Sequence, residues 1–73
     1  MNVLIDSVQK IGEIVKEERK RQGMLQRDLA DVSGVSLHFL SDLEKGKPTV
    51  ELQKVLQVLA GLGIAVELKH THP

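Results

Sequence analysis

The sequence has no cysteine, no tryptophan, no tyrosine and a single phenylalanine, Phe39, among its 73 residues. Without cysteine there is no disulfide framework and no thiolate metal site, which fits a reducing compartment. No apolar run reaches the ~18 residues that a membrane helix needs, and the opening MNVLIDS is too short for a signal peptide. The expected location is therefore the cytoplasm, with no membrane partner. His70 and His72 form an H-x-H pair, but a metal site needs three or four ligands, so no metal is expected. There is no nucleophile–base constellation, paired-carboxylate cleft or glycine-rich phosphate loop, which excludes any expected catalytic residue or cofactor. An excess of one charge is also missing. Ten lysines and arginines balance ten aspartates and glutamates, which argues mildly against a nucleic-acid binder. The distribution is less even: Lys16, Arg19, Lys20, Arg21 and Arg27 stand against only Glu17 and Glu18 in that stretch.

What is present is a succession of short helical patterns. A chain of this length is one small domain that buries only about 60% of the surface its unfolded form exposes. Ser7 is a plausible N-cap for a first helix to about Gln22, with Val8, Ile11 and Val15 on one face and Gly23 as the stop. A second helix covers roughly Gln26 to Ser33 and ends at Gly34. Ser36 caps a third, which continues to about Glu44 before Gly46. Pro48 and Thr49 open a fourth, with Thr49 as cap and Leu52, Val55, Leu56 and Leu59 as its core face. After Gly61 and Gly63 the period changes: Ile64, Val66 and Leu68 alternate with Ala65, Glu67 and Lys69, the pattern of a strand. A lone strand leaves its backbone groups and apolar face uncovered. Its partner is either Val3-Leu4-Ile5 or its own copy in a second chain. The second chain is favoured, because pairing about a two-fold axis also supplies core to a small domain.

The stretch from Gly23 to Lys47, GMLQRDLADVSGVSLHFLSDLEKGK, carries the functional signal. It reads as two short helices with Gly34 at the corner, packed through Leu29, Ala30, Val35, Leu40 and Leu43. Such a pair is the DNA-binding helix-turn-helix, whose second helix enters a major groove. Around it the chain resembles the Cro/C1 (XRE) repressor family. The matching residues are Gly12, Arg19, Gly23, Gln26, Leu29, Ala30, Gly34-Val35-Ser36, Leu40-Ser41, Glu44, Gly46-Lys47, Pro48, Leu59-Ala60 and Leu62-Gly63, covering about Ile11 to Gly63. The resemblance implies an all-α, lambda-repressor-like domain of about four helices, here with a C-terminal β-strand that pairs across a homodimer. The expected division is an N-terminal extension over 1–6, the helix-turn-helix domain over 7–63, a dimerisation strand over 64–69 through Ile64, Val66 and Leu68, and a loose tail over 70–73.

The same resemblance assigns roles. Gln26, at the start of helix two, meets a phosphate through its backbone N–H and side chain, where free N–H groups and the helix dipole favour an anion. Arg27, Lys45 and Lys47 are further phosphate partners. Base reading falls to Ser36, Leu37, His38, Ser41 and Asp42 on the outer face of helix three. There Leu37, and Phe39 if it is not core, could touch a thymine methyl, and His38 could donate to guanine. Asp42 could accept from cytosine N4 or simply repel phosphates. Arg19 and Glu44 match a family salt bridge between helices one and three, the alternative being two unrelated exposed charges. Leu25 departs from the family, which usually carries a capping threonine, serine or asparagine there, a loss of about 1 kcal/mol.

The ending IAVELK, where many family members continue with a fifth helix, is similar to the HipB-like (Y4mF-type) antitoxins. That similarity implies a nucleoid-associated dimer that binds double-stranded operator DNA. It also implies that the dimer represses its own operon and engages a HipA-like kinase toxin, with or without an additional subunit. The alternatives are a stand-alone repressor without a toxin, or a protein-interaction module whose specific DNA binding has been lost. The neutral charge, Leu25, Leu37, Phe39 and Asp42 favour the last.

Overall fold

In the computed structural model, residues 2–49 and 51–72 are described; Met1 and Pro73, the outermost residues of the expected extension and tail, lie outside them. Four helices follow in order: α1 (Val8–Arg21), α2 (Gln26–Ser33), α3 (Leu37–Glu44) and α4 (Leu52–Gly61). Their starts are set locally. The Ser7 hydroxyl accepts the Lys10 N–H at 3.1 Å, and the Ser36 hydroxyl accepts the Phe39 N–H at 3.0 Å, each satisfying one orphan donor of a helix N-terminus. Leu25 has no acceptor to offer α2. Instead the Asp28 carboxylate reaches back to the Leu25 N–H at 2.9 Å, so half of a reciprocal cap survives.

The stops are equally local. At the end of α2, Gly34 takes a left-handed φ of +72°, which lets the Val35 N–H reach back to the Ala30 carbonyl at 3.1 Å. A side chain there would be strained, because only glycine adopts that conformation without a Cβ penalty. The ends of α1, α3 and α4 repeat the device. Two glutamines add long-range ties at helix C-termini: Gln57 Nε2 donates to the Ser33 carbonyl at 2.9 Å, and Gln22 Nε2 to the Leu62 carbonyl at 2.8 Å.

The core comprises Val15, Leu29, Ala30, Phe39, Leu40, Leu43, Val55, Val58, Leu59 and Leu62, with Ile11, Met24, Val35 and Ile64 at its margin. Helix α1 lies against α3, and α2 lies against both α3 and α4. Gly12 makes the first packing possible, since a Cβ there would collide with the Leu43 carbonyl oxygen of α3. Gly61 plays the same part between α4 and the Ser33 side chain of α2. None of the described helices is long and apolar enough to cross a membrane.

Three expectations need correction. The fourth helix begins at Leu52 with Glu51 at its cap position, not at Pro48 or Thr49; the Thr49 hydroxyl instead accepts the Glu51 N–H at 3.0 Å in the preceding turn. Its buried face is Val55, Val58, Leu59 and Leu62, while Leu52 is 64% exposed and Leu56 is also exposed. That helix is apolar on most of its circumference, so periodicity left two neighbouring faces open, and the close approach at Gly61 selects between them. Finally, residues 64–69 form no strand. Ile64 is tucked against the core, but Val66 and Leu68 are exposed, Leu68 by 96%. Nor is there a backbone hydrogen bond to Val3, Leu4 or Ile5 among the described residues. A strand exists only with a partner ladder, and the single chain provides none.

Candidate nucleic-acid interface

Helix α3 divides into two faces. Phe39, Leu40 and Leu43 are buried, so Phe39 is a core residue rather than a thymine contact. Leu37, His38, Ser41, Asp42 and Lys45 occupy the opposite face at helical spacing, with Leu37, His38 and Lys45 exposed and Ser41 and Asp42 half-buried. Ser36 at the N-cap and Lys47 just beyond the C-terminus are exposed as well. Seven of the nine residues expected to touch DNA thus lie on or flank one helix face. The other two, Gln26 and Arg27, open α2, where their backbone N–H groups have no acceptor among the described residues. Such free donors, aligned with the helix dipole, suit an anion.

The scaffold beneath this surface is a buried ionic junction. Arg19 Nε donates to Glu44 Oε2 at 2.7 Å, its Nη2 donates to Oε1 at 2.9 Å, and its Nη1 donates to the Met24 carbonyl at 2.8 Å. The Glu44 side chain is 3% exposed. Donating to the Glu44 carboxylate holds the Arg19 guanidinium above its ordinary pKa against the opposing effect of burial. Gln26 Nε2 joins from α2, donating to Glu44 Oε1 at 3.1 Å. One carboxylate therefore ties α1, α2 and α3 together, with every guanidinium nitrogen supplied with an acceptor. The sequence resemblance paired Arg19 with Glu44; that Gln26 belongs to the same network became visible only in three dimensions.

The remaining charges of the basic stretch are less available than composition suggests. Arg19 is consumed in the junction, and Arg21 is paired with Glu18 on α1. Lys16 and Lys20 make no ion pair among the described residues. On the α3 side, Asp42 is bracketed, with His38 Nε2 3.3 Å from Oδ2 and Lys47 Nζ 3.2 Å from Oδ1. A shallow groove runs beside this cluster between α3 and α4, and Lys54 lines it, 5.7 Å from the centre of the Phe39 ring. Lys54 carried no signal in the sequence, because its place beside α3 depends on how α4 packs.

Comparison with known proteins agrees with this geometry. Residues 15–68 match the helix-turn-helix family model. Over 58 residues the chain is 50% identical to the uncharacterised HTH-type transcriptional regulator y4mF of Sinorhizobium fredii, a match spanning 80% of this chain and 76% of that protein. The restriction-modification controller protein C.AhdI from Aeromonas hydrophila superposes with a TM-score of 0.72 at 29% identity, over 80% of this chain and 88% of that one. A chain of the HipA–HipB–O2–O3 complex superposes with a TM-score of 0.85 over 97% of this chain and all of its own length. At 22% identity, that last match is a likeness of fold.

Proposed function

The chain belongs to the helix-turn-helix family of transcriptional regulators, of Cro/C1 (XRE) type, and from that premise we propose that it is a sequence-specific repressor acting as a homodimer and as the antitoxin of a HipA-like kinase. The observation that carries the repressor reading is the outward face of α3. It presents Leu37, His38 and Ser41 away from the core while Arg27, Lys45 and Lys47 flank it as phosphate partners. In a dimer, two such helices would enter successive major grooves about 34 Å apart on a palindromic operator. Pairing of residues 64–69 between two chains would complete the ladder that one chain lacks and would cover Val66 and Leu68. The likeness of fold to a chain of the HipA–HipB–O2–O3 complex supports the antitoxin role.

A mobility shift with the protein's own upstream DNA, run at two salt concentrations, tests the first part. The expected shift resists competitor DNA and weakens as salt rises. Lys45→Ala should weaken binding to all sequences alike and reduce the salt slope by about one. Co-purification with the product of a neighbouring kinase-like reading frame tests the second part; its failure would leave a stand-alone regulator. The exposed apolar side chains Leu25 and Leu37 favour a second reading, an interaction module, and absence of any specific shift from folded protein would select it.

A further inference from the structure

The segment after α4 carries two charged side chains for which its own chain provides no partner. Glu67 and Lys69 are exposed, and neither enters an ion pair among the described residues. The same segment has a backbone edge whose phase is set by α4. The Ile64 N–H donates back to the Leu59 carbonyl at 2.9 Å. Amides of an extended segment point alternately to its two edges, so those of Ala65, Glu67 and Lys69 point away from α4. None of the three has a backbone partner among the described residues. Among the side chains, Ile64 sits against the core, while Val66 and Leu68 share its face by the two-residue period and are exposed.

We infer that this edge pairs with itself in a second copy of the chain in one register, centred on Leu68, with Glu67 of each copy opposite Lys69 of the other. The inference rests on the homodimer proposed above and specifies its contact. A two-fold contact sets an edge against its own copy, so the strands run antiparallel and each pairing occurs twice. A register centred between two residues sets Ile64, Val66 and Leu68 opposite members of the Ala65, Glu67 and Lys69 set, which mixes the apolar and charged faces. The other registers are centred on one residue. Centres at Ile64, Ala65 or Val66 bring Ala65, Glu67 or Lys69 opposite Gly63, whose left-handed φ of +77° ends the extended backbone. Centres at Glu67 or Lys69 set like charges face to face, which is destabilising. Within 64–69, only Leu68 avoids both. Centred there, the ladder joins Glu67 to Lys69 twice and uses their outward amides in its hydrogen-bonded pairs. Leu68 then meets its own copy at the axis as a non-hydrogen-bonded pair, with Cα atoms about 4.5 Å apart.

Sedimentation equilibrium of the wild type comes first and should show a dimer. A monomer at every concentration would overturn the homodimer reading and this inference together. Cross-linking then reads the register, because the chain has no cysteine of its own. Under mild oxidation Leu68→Cys should form a disulfide at least about tenfold faster than Val66→Cys or His70→Cys, whose copies stand about 14 Å apart in this register. Faster linking at Val66, or equal linking at all three positions as in a mobile tail, would overturn the register and leave the homodimer standing. Charge reversal gives a second readout. Glu67→Lys and Lys69→Glu should each weaken the dimer by about tenfold, and the double variant should restore it. Helical circular dichroism checks that each variant is folded. Single reversals without effect, or a double variant that stays weak, would place the two side chains apart and overturn the inference.

Discussion

Two carboxylates two residues apart on α3 are each held by two partners, yet they sit in opposite circumstances. Glu44 is gripped by Arg19 and Gln26 with its side chain 3% exposed, whereas Asp42 is touched by His38 and Lys47 with 28% exposure. Around Glu44, water is excluded and the partner's fork geometry is saturated by three hydrogen bonds. Removing one partner there strands a buried charge. Around Asp42, water and salt can replace either partner at little cost. Similar ionic arrangements thus differ on one helix: the buried one holds three helices in register, and the exposed one remains adjustable.

The strongest way to break this contrast is Glu44→Ala, which should destabilise the domain by about 3–5 kcal/mol and leave much of it unfolded in chemical denaturation. Asp42→Ala should cost less than about 1 kcal/mol in the same measurement. Comparable losses from the two would refute the contrast. Gly12→Ala attacks the buried junction through packing instead of charge, since its Cβ meets the Leu43 carbonyl where α1 approaches α3. About 1–3 kcal/mol should be lost, as for other overpacked sites. Leu25→Ser works in the other direction by giving α2 the side-chain acceptor it lacks, and should raise stability by about 1 kcal/mol, read as a higher denaturation midpoint.

A third carboxylate, Glu18 on α1, is 16% exposed but is paired with Arg21, which is 70% exposed, and it sharpens the comparison. Hydrogen bonds from Arg21 and then Gln22 lower its pKa from 4.5 to about 2. Because the folded value lies below the unfolded one, its contribution to stability is present above about pH 4.5 and is lost as pH falls towards 2. Glu18→Gln should therefore slightly flatten the fall in melting temperature over that window, the smallest of these effects, since Arg21 is largely exposed and solvent screens the pair.

The parts of the molecule legible in the sequence are those governed by residues close together along the chain. Ser7 and Ser36 as caps, Gly23, Gly34, Gly46 and Gly63 as stops, and the opposition of Leu40 and Leu43 to the outer face of α3 all follow from spacings of a few residues. The buried Arg19–Glu44 pair came within reach only through the family resemblance, because no local rule joins residues 25 apart. The fourth helix departs from its sequence pattern for a specific reason. Leu52, Leu56, Val58 and Leu62 are all apolar, and hydropathy does not distinguish the face that meets α2 from the face that meets water. The alternation over 64–69 describes a ribbon that could be half-buried, but a ladder needs a second edge, and the single chain supplies none.

The sequence by itself determined the four helices, their order and the placing of a helix-turn-helix at residues 23–47, because capping, left-handed glycine and the 3.6-residue period act over single turns. Tertiary structure alone decided that Gln26 joins the Glu44 junction, that Asp42 is divided between His38 and Lys47, that Phe39 turns inward and that Leu52 and Leu56 turn outward. Those outcomes depend on which helix faces press together, and that is set by close contacts such as Gly12 on Leu43 and Gly61 on Ser33, between residues distant in sequence that meet only when the chain has packed.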